Sequence, residues 1–169
     1  MWGVAGSFGT SQLPVLAIKR EIIHPLLNAR TMENKCHECD GLAVVCMDWR
    51  LHSSGELLPK LSQVVGVENL DVVSLAGAAK NVLSDVTEAL LWEHVEFCEN
   101  LHHGKMVVFT NHSTCGAYGE EGTEEKLKED LREAGEMVKE RFPEIEVRLV
   151  FVDLIEREGE WEVECEEID

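Results

Sequence analysis

The sequence predicts an α/β fold: a mainly parallel four-stranded sheet with an added edge strand and helices on both faces. Two observations carry this expectation. Short apolar runs rich in β-branched residues alternate along the chain with helical patterns, and crossovers of that kind join parallel strands. The last run, WEVEC at 161–165, alternates apolar with polar residues, as an edge strand with one wet face does.

In chain order, GLAVVC at 41–46 suits a buried parallel strand. Residues 57–65 read as a short helix with Pro59 in its first turn, where the missing N–H costs little. DVVSL at 71–75 is the second strand, and Gly77 turns the chain into a helix predicted over 81–102. Val82, Leu83, Val86, Leu90, Phe97 and Leu101 form its expected apolar stripe. Gly104 stops that helix before KMVVFT at 105–110, the third strand. Thr123 followed by two glutamates starts a charged helix that ends before Pro143. EVRLVFV at 146–152 is the fourth strand, and Gly159 turns it into the edge strand.

The 169 residues suit one domain. Met32 precedes the more ordinary stretch of sequence, so residues 1–31 are expected as an N-terminal extension or arm on a single domain at 32–169. The net charge is −18, and residues 116–169 hold 20 Asp and Glu against 7 Lys and Arg. Such a field repels phosphate backbones and anionic lipid, so no nucleic-acid or membrane partner is expected. The first 31 residues contain no apolar run long enough to span a bilayer. With six cysteines in a chain of ordinary apolar content, reduced thiols and metal ligation are the better reading than a disulfide framework, which points to the cytoplasm.

Ligands of open parallel sheets bind beyond the carboxyl ends of the strands. Two clusters fall there: Cys46-Met47-Asp48-Trp49-Arg50 after the first strand and His112-Ser113-Thr114-Cys115-Gly116 after the third. Cys46, His112 and Cys115 supply the three thiolate and imidazole ligands of a zinc site with one open position. Taken singly, Cys46 reads equally well as a buried cysteine and His112 as a satisfied loop histidine. Their convergence at adjacent strand ends is what favours a metal.

The pair of motifs, Cys-x-Asp-x-Arg at 46–50 and His-x-x-Cys-Gly at 112–116, resembles the signature of the β-class carbonic anhydrases. Ala76-Gly77 resembles that family's Ala-Gly turn, although Ser74-Leu75 stands where the family usually has Arg-Asn. The resemblance covers roughly residues 36–155. It implies one zinc per chain held by Cys46, His112 and Cys115, and reversible hydration of carbon dioxide to bicarbonate by a hydroxide on the ion. Asp48 would orient that hydroxide and Arg50 would hold Asp48, and the cleft would be shared between subunits of a homodimer or higher homo-oligomer. An alkaline optimum is expected, because two thiolates already neutralise the ion. A carbonyl sulfide or carbon disulfide hydrolase is the nearest alternative, and a non-catalytic zinc-binding regulatory relative with Asp48 closed on the metal is the next.

The remaining signals carry blander expectations. Cys36-His37-Glu38-Cys39 reads as an exposed thiol pair and His102-His103 as a cationic helix end. Trp92 and His94 are placed at a subunit contact, and Tyr118 in the pocket or in loop packing.

Overall fold

The computed structural model describes residues 38–169, which form a five-stranded sheet with four helices. The predicted 1–31 extension lies outside the described residues, as do Cys36 and His37. The strands are β1 (Gly41–Val45), β2 (Leu70–Ser74), β3 (Met106–His112), β4 (Glu146–Arg157) and β5 (Glu160–Ile168). Their order is β2-β1-β3-β4-β5, with every pairing parallel except the β4–β5 hairpin. The predicted fold class is therefore the observed one.

β1 and β3 are buried along their whole length, so both faces of the sheet centre are covered. That is why their sequences run continuously apolar instead of alternating. The register sets Gly41 level with Leu70 and Met106, so the chain leaving Val45 emerges beside the end of β3. At the far edge, β5 alternates buried Val163 with exposed Glu160, Glu162, Glu164 and Glu166.

The helices are α1 (Trp49–His52), α2 (Leu57–Val65), α3 (Glu88–His102) and α4 (Glu124–Arg141). α2 buries Leu57, Leu61 and Val65, one residue per turn, and packs against β5. The Thr123 hydroxyl caps α4 by accepting from the Lys126 N–H at 3.2 Å, and Leu127, Leu131, Ala134 and Val138 face β3 and β4. No helix of the described residues is long and apolar enough to cross a membrane.

The helix predicted from residue 81 is corrected. Residues Ala78–Asn81 form a 3₁₀ turn, further turns follow, and α3 begins at Glu88. The break resets the helical phase, so the expected stripe is not the buried one: Val86 is 88% exposed and Leu90, Phe97 and Leu101 are exposed. The core face is Leu91, Trp92, Val95 and Cys98, packed on β1. Trp92 is thus a core residue. Its indole N–H donates to Glu88 at 2.8 Å and its ring lies 5.8 Å from that of Phe142. His94 stays on the helix flank, with Nδ1 on the Leu90 carbonyl at 2.7 Å.

Candidate metal centre

Cys46 follows the last residue of β1 and His112 is the last residue of β3, so the parallel register brings them together. Cys115 arrives through the turn Ser113-Thr114. That turn requires Thr114 in the left-handed region (φ 59°), a conformation a β-branched residue adopts at a cost of order 1–3 kcal/mol. Ser113 fastens the turn to β4: its N–H donates to the Val152 carbonyl at 2.9 Å and its hydroxyl accepts from the Leu154 N–H at 2.8 Å.

The ligand atoms of Cys46, His112 and Cys115 lie within 4.8 Å of one another, and all three residues are buried. The two sulfurs are 3.9 Å apart. Two sulfurs held ~2.3 Å from a tetrahedral zinc stand roughly 3.8 Å apart, so this spacing already fits the ion. The His112 Nδ1 donates to the Ser113 carbonyl at 2.8 Å, which leaves the lone pair on Nε2. Nε2 is buried and has no hydrogen-bond partner. A buried polar atom left unpaired costs about 1–3 kcal/mol, and a metal ion would satisfy it. The donor set therefore fits zinc in number, chemistry and spacing.

The two thiols share their protons unequally. The hydrogen bond with Cys115 lowers the pKa of Cys46, helped by the Gly77 N–H at 3.4 Å, while the neighbouring Cys46 sulfur and burial push Cys115 up. The amide of Gly77 comes that close because the residue sits at φ 79°. A Cβ there would also press on Ala117 at 3.0 Å.

Asp48 caps α1 by accepting from the Arg50 N–H at 3.1 Å. The guanidinium adds Nε at 3.0 Å and Nη2 at 2.6 Å, so one residue supplies three N–H groups to one carboxylate. This hydrogen bonding holds the Asp48 carboxyl below its usual range. Arg50 is itself bracketed: Nη1 and Nη2 reach the Thr114 hydroxyl and carbonyl at 3.2 and 3.1 Å, and its Cζ lies 5.1 Å from the centre of the Trp161 ring. Asp48 is not among the residues of the 4.8 Å group.

Residues 36–166 match the model of a family described as "putative carbonic anhydrase". The chain belongs to this carbonic anhydrase family. Among relatives, an uncharacterized protein of Rickettsia conorii is 33% identical over 127 residues, and the match spans 66% of each chain. One of Rickettsia bellii is 30% identical over 125 residues, covering 66% of this chain and 74% of the other. The fold is shared with the carbonic anhydrase of Streptococcus mutans, at a TM-score of 0.51 and 19% identity over 91% of this chain and 96% of that one.

Within this carbonic anhydrase relative, the five predicted site residues stand at one end of the sheet. Sequence reading missed Thr114 and Trp161, the two residues that bracket Arg50. Trp161 carries no local signal, because it comes from the far edge of the sheet. Tyr118 is buried, and its hydroxyl accepts from Asn111 at 3.0 Å, so it packs the loop. Two side signals are corrected. Cys39 is half-buried, not an exposed thiol, with its sulfur 3.5 Å from that of Cys98. His102 does not simply cap α3, because its Nδ1 lies 2.5 Å from the Asp71 carboxylate. His103, in the left-handed region, is the residue that ends the helix.

Proposed function

We propose that this protein is a zinc-dependent carbonic anhydrase, a lyase for the reversible hydration of carbon dioxide to bicarbonate. Cys46, His112 and Cys115 would hold one zinc per chain. The observation that carries this reading is the orphaned His112 Nε2, buried beside two sulfurs at ligand spacing. Zinc, when bound, supplies Lewis acidity that brings the pKa of coordinated water from ~15.7 down toward neutrality.

The rest is the work of the chain's own residues. Arg50 orients the Asp48 carboxylate through three N–H groups, and that carboxylate would accept a hydrogen bond from the attacking water. Asp48 stays ionised through the neutral range, because Arg50 holds its pKa down. It therefore orients the nucleophile by accepting and does not act as an acid. Arg50, fixed by Thr114 and Trp161, keeps the carboxylate in place and outside the ligand group. That placement supports an open fourth position over a closed regulatory site.

Any pH dependence of the rate above pH 7 belongs to the nucleophile and not to Asp48. With two thiolate ligands in a chain of net charge −18, that ionisation is expected on the alkaline side. Met47 and Trp49, flanking Asp48, are 62% and 68% exposed, and a second copy seated there would complete the cleft as a homodimer. The five described cysteines are all free thiols, as a cytoplasmic protein would keep them.

Stopped-flow hydration of carbon dioxide by metal-quantified protein at pH 7 and 8.5 tests the proposal. We expect activity with one zinc at this centre, faster at pH 8.5, and a fall of ~10²–10⁴-fold in Asp48→Ala with zinc retained. A fully loaded centre with no hydration at either pH would overturn it.

A further inference from the structure

The amino end of the sheet holds four groups that the reaction does not use. Cys39 precedes β1, Asp71 lies in β2, and Cys98 and His102 lie in the last two turns of α3. The Cys39 sulfur stands 3.5 Å from the Cys98 sulfur and 3.5 Å from Asp71 Oδ2, which in turn stands 2.5 Å from His102 Nδ1. Ligand atoms of Cys39, Asp71 and His102 lie within 4.8 Å of one another.

We propose that Cys39, Asp71 and His102 form a second divalent-cation site of the zinc class, with Cys98, seated against Cys39, moving in as the fourth ligand and clamping the end of α3 to β1 and β2. A tetrahedral ion with bonds of ~2.0–2.3 Å sets its ligand atoms roughly 3.4–3.8 Å apart. The Cys39–Cys98 and Cys39–Asp71 spacings already meet that. The Asp71–His102 pair must open by about 1 Å as its hydrogen bond gives way to the ion, and the Cys98 sulfur, outside the 4.8 Å group, must swing inward from Cys39. Two thiolates, one imidazole and one carboxylate form a donor set that zinc takes readily, and no ligand position is left for substrate.

The backbone is built tightly around the sulfurs. The Cys39 N–H donates to the His102 carbonyl at 3.0 Å, and the Lys105 N–H to the Asp40 carbonyl at 3.0 Å. A Cβ at Gly104 would lie 2.4 Å from the Cys98 sulfur and 3.1 Å from that of Cys39, so only glycine lets the chain wrap them. Burial pushes both thiols up, with Asp71 adding to the shift on each, so a bound dication would have to displace their protons. The same shift makes the pair poor nucleophiles for disulfide exchange. β1 separates the two centres by roughly 20 Å, at ~3.3 Å per residue, so they load independently.

The full chain, stripped with chelator, is titrated with zinc against a chromophoric chelator, and cysteine alkylation by iodoacetamide is followed by peptide mass with and without zinc. We expect two equivalents in the wild type, one in Cys39→Ser/Cys98→Ser and one in His112→Ala/Cys115→Ser. Zinc should shield Cys39 and Cys98 of the wild type from alkylation, a reading that needs no variant to fold. Alkylation of these two thiols at the same rate with and without zinc overturns the proposal, as does a Cys39–Cys98 disulfide with no second equivalent. Failure of the first centre alone would show instead as one wild-type equivalent lost in Cys39→Ser/Cys98→Ser.

Discussion

At the carboxyl end of the sheet, Asp48 takes three N–H groups from Arg50 and stands apart from two cysteines and a histidine. At the amino end, Asp71 groups with Cys39 and His102, with Cys98 against Cys39, and among the described residues its ion-pair partner is His102. The same three residue types thus occur twice, and one arginine separates the arrangements. Where a guanidinium claims the carboxylate, the aspartate stands outside the ligand group, an arrangement that suits the proposed open position. Where none does, the aspartate is free to join the donors, and the result suits a structural role. The histidines differ in the same sense: His112 commits Nδ1 to a carbonyl and leaves Nε2 unpaired, whereas His102 is engaged by the carboxylate itself.

Replacing the two histidines in turn breaks the comparison most sharply. His112→Ala should abolish zinc retention at the carboxyl end and all hydration. His102→Ala should lower the melting temperature yet leave hydration within about twofold, since distant sites act nearly additively. If both variants lost activity equally, the two ends would not be separate devices.

A smaller effect is expected from Arg50→Lys. An ammonium cannot reproduce the fork that meets Asp48 and Thr114, so we expect a ~10–100-fold lower kcat with zinc still bound. The pH–rate profile should keep its alkaline rise, because the group displaced is a positioner. Loss of the metal in this variant would instead make Arg50 part of the scaffold that forms the centre.

The smallest readout is a proton count. Metal binding must expel thiol protons, so affinity rises with pH at both ends. With the Cys46 pKa lowered and that of Cys115 raised, zinc at the first centre should release about one thiol proton at pH 7. With Cys39 and Cys98 both raised, the second should release about two. Calorimetry in buffers of different ionisation enthalpy, on chains with one centre removed, measures each count. Equal counts would erase the electrostatic difference drawn between them.

Much of this was legible in the residues. β1, α2 and β3 were read to within two residues, because continuous β-branched runs and one clean helical stripe leave little choice. The trio Cys46, His112 and Cys115 was legible because a tight turn and a strand end are local features, and parallel pairing brings strand ends together. The phase of α3 was not, since two apolar stripes run through residues 82–101 and only the break before Glu88 selects between them. The amino-end cluster was hidden for another reason. Cys39 meets Cys98 across 59 positions and Asp71 across 32, and no spacing rule announces such a meeting. Trp161 over Arg50 is the same case at longer range.

The glutamates of β5 have one more consequence. An unpaired sheet edge invites a strand from another molecule, and a row of like charges there makes every approaching carboxylate-rich copy repel its template. Glu160, Glu162, Glu164 and Glu166 seal that rim, whereas β2, the other edge among the described residues, offers exposed Val72 and Ser74. The two margins of the sheet therefore differ toward an approaching strand: β5 meets it with carboxylates, partly paired to Arg157 and Lys128, and β2 with an apolar and a hydroxyl side chain.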